Sequence, residues 1–275
     1  MRRLRALVVA SILALVGCGG SAERWTAEGD RLLRDNSLVE AEKAYNRAIA
    51  RDPHYAPALY GKGWALFLSG HDDLLPAARQ LFQRAIDYDP DYWGGHRGMG
   101  VLLLREGKSA PAEKQLRAAF DRDPEEPTVL LSLGELYLRA GRPDDAEKLF
   151  DAAISLAPER GEFLSLLAEV ELERADFDAA MRWIEEGRGR PVSGRRGLVL
   201  LDEGEIRVHL ARATHLLRTA YGPADPQLDE ALTALSAADS LLEKVIREDP
   251  RGAPPALRRK YHQRLRTRVE EAQRE

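Results

Sequence analysis

Six histidines (54, 71, 96, 209, 215 and 262) and a single cysteine, Cys18, are the side chains of this 275-residue chain best suited to nucleophilic, acid–base or metal chemistry. Their spacing argues against all three. No His-Glu-x-x-His pair occurs, and His209 and His215 are six positions apart, which puts them on different faces of a helix. There is no G-x-S-x-G elbow for a nucleophilic serine. Asp72 and Asp73 lack further ligands at useful spacing and read as a helix-initiating turn. The run Trp93-Gly-Gly-His-Arg-Gly-Met-Gly100 has four glycines in its last seven residues, like a phosphate-binding loop. With no preceding strand and no Lys-Ser/Thr pair, that motif fails in context, and Gly94, Gly95 and Gly98 read as places where a helix is thinned for a close approach. The chain therefore reads as a non-enzyme, with no cofactor, no metal and no small-molecule substrate expected.

Cys18 has a different context. Arg2, Arg3 and Arg5 precede an apolar run, residues 6–16, that is shorter than the roughly 20 residues of a membrane span. Residues 1–17 read as a secretory signal. Leu15-Val16-Gly17-Cys18 resembles the bacterial lipobox, which implies cleavage before Cys18, acylation of its thiol, and residues 18–21 as lipidated cysteine and tether. An ordinary cleaved signal with an incidental cysteine is the alternative. With one cysteine, no intramolecular disulfide framework can form. A diacyl or triacyl cysteine anchors firmly, since each buried methylene adds about 0.8 kcal/mol. Gly19 in place of Asp implies, by the sorting habit of Gram-negative lipoproteins, the outer membrane, facing the periplasm. Losing residues 1–17 removes three arginines and no acid, leaving 38 basic against 45 acidic residues, a formal charge of −7. That balance disfavours nucleic acid as a partner.

The rest is organised by repetition. From Gly134, steps back of 34, 37 and 34 residues land on Gly100, Gly63 and Gly29. Ala146 recurs as Ala112, Ala78 and Ala41, and forward as Ala180; Pro158 recurs as Pro124, Pro90 and Pro53. A 34-residue period with small residues, aromatics and a closing proline in fixed places marks helix-turn-helix units. In the unit 127–158, Gly134 and Ala146 are expected to face each other, Tyr137 and Phe150 to fill the seam, Gly141 to take the positive φ that ends the first helix, and Asp144 to cap the second. This resembles the tetratricopeptide repeat family over residues 22–191, in five repeats, of which the fifth is degraded. The resemblance implies an all-α, right-handed superhelix, an α-solenoid of about five to six repeats. Residues 188–196, RGRPVSGRR, read as a basic linker that breaks the helix. Residues 192–250 read as a divergent, enlarged sixth repeat with helices near 198–221 and 227–248. Residues 251–275 read as an amphipathic capping helix, with Leu257, Tyr261, Leu265 and Val269 on one face.

In this family the first helix of each repeat lines a groove, and its inward positions carry over to Tyr60, Trp64, Phe67, Arg97, Val101, Leu104, Leu131, Glu135 and Arg139. The lysine and asparagine by which the best-known groove grips a C-terminal carboxylate correspond to Thr26 and Asp30 in the first repeat and Tyr60 and Trp64 in the second, so that clamp is missing. Tyr60, Trp64 and Phe67 suit an apolar or amphipathic segment of another protein, oriented by Arg97; a core-filling role is the alternative. The resemblance implies a lipid-anchored adaptor or assembly factor, in layout similar to the pilotins of type IV pilus secretins. A binding or regulatory subunit of a cell-wall enzyme, or a cytoplasmic scaffold if the N-terminus is no signal, are the competing readings. Metabolic labelling with a palmitate analogue is expected to tag the wild-type chain but not Cys18→Ser; no label on either would remove the anchor.

Overall fold

The computed structural model describes residues 20–220 and 225–248, together with Thr267 and Glu271. Cys18 and all but two residues of the expected capping helix lie outside them. The described residues are all-helical: α1 (Ala22–Arg34), α2 (Leu38–Arg51), α3 (Ala56–Leu68), α4 (Leu75–Tyr88), α5 (Trp93–Arg105), α6 (Ser109–Arg122), α7 (Pro127–Arg139), α8 (Pro143–Leu156), α9 (Leu164–Glu173), α10 (Phe177–Gly189), α11 (Gly194–Thr219) and α12 (Pro226–Glu248). Short 3-10 turns precede α4 and α9. Among the described residues the chain forms two compact units, one of residues 20–33 and 37–99, the other of 34–36 and those from 100 on, the division falling within α5. Each unit is built of helical pairs, as the repeat period implies.

The turn inside each pair is set by one backbone conformation. Asn36, Gly70, Gly107, Gly141 and Ala175, all at the repeat period, have φ of 58°, 75°, 75°, 71° and 57°. In four of the five turns the next amide reaches back five residues: Ser37 N–H to Leu32 O at 2.8 Å, Lys108 to Leu103 at 2.9 Å, Arg142 to Tyr137 at 2.9 Å and Asp176 to Glu171 at 2.9 Å. This bond satisfies carbonyls that the helix end would leave without partners. After Gly70 the three extra residues form the 3-10 turn Asp72–Leu74 instead. The first three repeats close with Asp-Pro, and each aspartate accepts from the amide two residues on: His54 on Asp52, Asp91 on Asp89 and Glu125 on Asp123. Such an Asx turn, followed by a proline that cannot continue a helix, fixes the boundary.

One cap differs from expectation. Asp144 does not cap α8: Pro143 already occupies the first turn, Arg142 stands at the cap, and the Asp144 carboxylate pairs with Arg174 at 2.7 Å. An acid in a first turn still favours the positive helix end. The atoms nearest a Cβ on Gly134 belong to the Phe150 ring, and at the equivalent Gly63 the Ala78 backbone is also close, at 3.3 Å. The same arrangement recurs. A Cβ on Gly29 would lie 2.6 Å from the Tyr45 ring, one on Gly63 2.7 Å from Phe82, and one on Gly100 2.6 Å from Leu116. The following repeat also yields: Gly61 abuts the same Tyr45 ring and Gly98 the same Phe82 ring. Tyr45, Phe82, Leu116, Phe150 and Ile184 are all fully buried.

The basic linker is shorter than its composition suggests. α10 continues to Gly189 and α11 begins at Gly194, leaving only 190–193 between them. Acids take up the arginines: Arg188 pairs with Asp202 and Glu205, each at 2.5 Å, and Arg190 with Glu186 at 2.5 Å. The fully buried Glu162 side chain accepts from Arg160 Nε at 3.0 Å, the Ser193 amide at 3.2 Å and the Ser193 hydroxyl. Asp202, 1% exposed, also takes Lys244 of α12 at 2.9 Å and so joins three helices. Two substitutions test the packing by thermal denaturation. Gly134→Ala is expected to cost about 1–3 kcal/mol, because a methyl would overlap the Phe150 ring. Ala175→Gly is expected to gain up to about 1 kcal/mol by relieving the left-handed backbone.

Candidate functional site

α3 places Tyr60, Trp64 and Phe67 at spacings of four and three, so they share one face of the helix. All three are half-buried. α5 and the residue before it bring Tyr92, Trp93 and Arg97 alongside, within the same compact unit. Tyr60 is the hub: its ring centre is 5.5 Å from Trp93, 5.9 Å from Tyr92, 6.1 Å from Trp64 and 6.0 Å from the buried Phe82. Trp64 and Phe67 stack at 5.2 Å and 18°. The rings form one continuous aromatic shelf.

Arg97 is only 9% exposed. Its guanidinium lies 4.3 Å over the Trp64 ring, and its Nη1 donates to the Tyr60 hydroxyl. A cation over an indole is worth about 0.5–2 kcal/mol, more when water is excluded. Arg97 thus acts as a strut between α3 and α5. Tyr45, buried in the same unit, donates its hydroxyl to Asp30 Oδ1 at 2.6 Å. Burial, then the charge of Asp30, then Tyr60 and Tyr92, push the Tyr45 phenol well above its ordinary range.

The remaining candidates fall in the second unit. Val101 is half-buried, and Leu104, 4% exposed, packs inside and offers a partner nothing. Leu131 and Leu138 pack against the cluster around Phe150. Glu135 and Arg139 pair at 2.7 Å, and Arg139 also reaches the Leu104 carbonyl at 3.5 Å. Cys18 lies outside the described residues. Tyr92 and Trp93 join the shelf without being among the family's inward positions. Their position directly after the Asp89-Pro90 closure, where the preceding repeat carries Tyr55, was the available signal. The described residues include no group of three side chains able to hold a metal ion. Stacked rings around an internal cation can bind an apolar surface.

A family model described as the tetratricopeptide repeat matches residues 26–92, 72–127, 97–160 and 131–191. No curated protein matches the chain in sequence. Among solved structures, a chain of the APC/C hetero-tetramer is similar at a TM-score of 0.62 and 18% identity over 90% of this chain; the match spans 43% of that longer protein. A thermophilic TPR protein of Thermus thermophilus is similar at 0.57 and 22% identity, over 66% of this chain and 98% of its own. The pilF protein of Pseudomonas aeruginosa overlays at 0.47 and 16% identity, over 87% and 96% of the two chains, a likeness too loose to carry an argument. At these identities the first two are likenesses of fold.

Tyr60→Phe removes an acceptor from the buried Arg97 guanidinium and is expected to cost about 1–3 kcal/mol in chemical denaturation. The Tyr45 phenol has a folded pKa raised above its unfolded value, so its contribution is complete below about pH 10 and is lost as pH rises beyond that. Alkaline titration of stability should fall by up to about 1.4 kcal/mol per pH unit from this group, and Tyr45→Phe should flatten that slope.

Proposed function

This chain belongs to the tetratricopeptide repeat family, and from that premise we propose that it is a membrane-anchored, non-catalytic adaptor or assembly factor on the periplasmic side of a bacterial envelope. Repeats of this kind serve in general as scaffolds for protein–protein interaction. The aromatic shelf on α3 and α5 carries the reading. Five half-buried rings, four on first helices and Tyr92 just before α5, lie together, and aromatic anchors dominate binding energy at interfaces. Because Arg97 is already engaged by Tyr60 and Trp64, the favoured partner is an apolar or amphipathic segment that lies on the rings.

The anchor rests on Leu15-Val16-Gly17-Cys18 after a basic, apolar leader, and Gly19 supports the outer membrane as its destination. With the short tether and the stacked repeats, this layout resembles that of pilotin-type lipoproteins. A role in assembling an outer-membrane complex is therefore the finer form of the proposal.

A photo-crosslinking amino acid at position 67, in intact cells, is expected to capture one envelope protein. Trp64→Ala should reduce that capture about tenfold or more, while thermal stability falls only by what the lost Arg97–indole contact supplies, about 0.5–2 kcal/mol. Cys18→Ser should move the chain from the membrane to the soluble fraction. Capture equal to that from a control position on α6, or a wild-type chain already in the soluble fraction, would overturn the adaptor and the anchor respectively.

A further inference from the structure

At the start of the first unit the backbone is held down before α1 begins. Gly20 takes a left-handed φ of 48°, and a Cβ there would lie 2.8 Å from Nε1 of Trp25, so its backbone rests on the indole. Ser21 caps α1, its hydroxyl accepting from the Arg24 amide at 3.3 Å and its carbonyl from the Trp25 amide at 3.2 Å. Only Gly19 separates this fixed backbone from Cys18. Two residues span at most about 7 Å. Acylation of Cys18, the reading on which this inference rests, would therefore hold the Trp25 end of the unit against the lipid headgroups.

The chemistry of that end fits the place. The starts of α1 and α3 and the end of α2 meet there: Ala22, Ala48 and Ala58 form one buried cluster, with Trp25 and Tyr55 packed against it. Arg47 lies 4.6 Å over the Trp25 ring. The end of α4 joins them, since His54 meets the Tyr88 ring at 4.2 Å and Arg84 donates to the Pro53 carbonyl at 3.3 Å. Tyr88 is nevertheless 45% exposed, and His54 is exposed beside it. Tyrosine and tryptophan collect at membrane–water interfaces, where the ring is apolar and its polar atom stays wet, and arginine lays its stem on apolar surface with its charge in water. Four arginines, 24, 47, 51 and 84, stand there among the carboxylates of residues 23, 52, 87, 89 and 91. Such a near balance of signs gives anionic lipid no advantage. It suits a zwitterionic headgroup, which offers a phosphate to arginine and an ammonium to carboxylate. The geometry points to this end of the first unit as a bilayer-contact surface that rests on zwitterionic headgroups.

The test reconstitutes the full, acylated chain into phosphatidylcholine vesicles that carry a quencher on the headgroup. Ala50→Cys at the proposed surface, and Asp73→Cys in the 3-10 turn at the far end of the same unit, each receive a fluorophore; both positions are exposed, and the acylated Cys18 thiol cannot react. Helices as long as α3 hold the two ends about 20 Å apart. Quenching at 50 is therefore expected to exceed that at 73 several-fold. Tyr88→Ser together with Arg51→Ser, both exposed and outside the glycine seats, should bring quenching at 50 down toward the value at 73 with helical circular dichroism unchanged. Replacing part of the phosphatidylcholine with phosphatidylglycerol should leave the pattern as it is. Equal quenching at 50 and 73 on vesicles that retain the chain, or indifference to the double substitution, would overturn the surface and leave the anchor standing. Quenching at 50 that appears only with phosphatidylglycerol would overturn the zwitterionic assignment. A chain that separates from the vesicles on flotation would overturn the anchor, and the surface with it.

Discussion

One bulky side chain per repeat, seated where the facing helices lack side chains, is the constraint on which the fold depends. Tyr45 rests between Gly29 and Gly61, and Phe82 between Gly63 and Gly98. Each glycine inside a helix costs about 1 kcal/mol relative to alanine, so a pair costs about as much as burying one aromatic ring returns, roughly 1.5–3 kcal/mol. The near balance explains why the pattern is kept as a unit. Filling a glycine displaces the ring, while truncating the ring leaves a void whose cost is about 3–5 kcal/mol.

The shelf is continuous with that seat. Tyr60 touches Phe82 with its ring and receives a hydrogen bond from Arg97, so the half-buried rings are tied to the buried one beneath them. A partner laid on them meets a surface whose conformation is already set, which reduces the ordering cost of binding. In the second unit the seat recurs, Gly100 against Leu116 and Gly134 against Phe150, and charge is added to it. There charge joins the enlarged pair to its neighbours, through Asp202 between Arg188 and Lys244. Removing one member of such a buried group leaves the others without compensation, which is costlier than the group is stabilising.

Much of this was legible because certain backbone tasks admit few residue types. The glycines, the closing prolines and the aromatics returned at a fixed period, and helical pairs followed from them. What stayed hidden depends on partners distant in sequence. Glu162 and Ser193 are 31 residues apart, and Asp202 and Lys244 are 42 apart, so nothing local announced that the basic stretch after α10 would be so short. Asn36 and Ala175 hold a left-handed turn that glycine elsewhere marks openly. The role of Arg97 was half visible: its proximity to Trp64 followed from the repeat, but its burial depended on Tyr60 accepting from it.

The 3-10 turn Asp72–Leu74 shows that the second repeat absorbs three additional residues while Gly63 still meets Phe82. Length at that loop is therefore decoupled from the seat. The loop is a natural graft point, where a fluorophore or an affinity handle could be spliced in without perturbing the rings on α3.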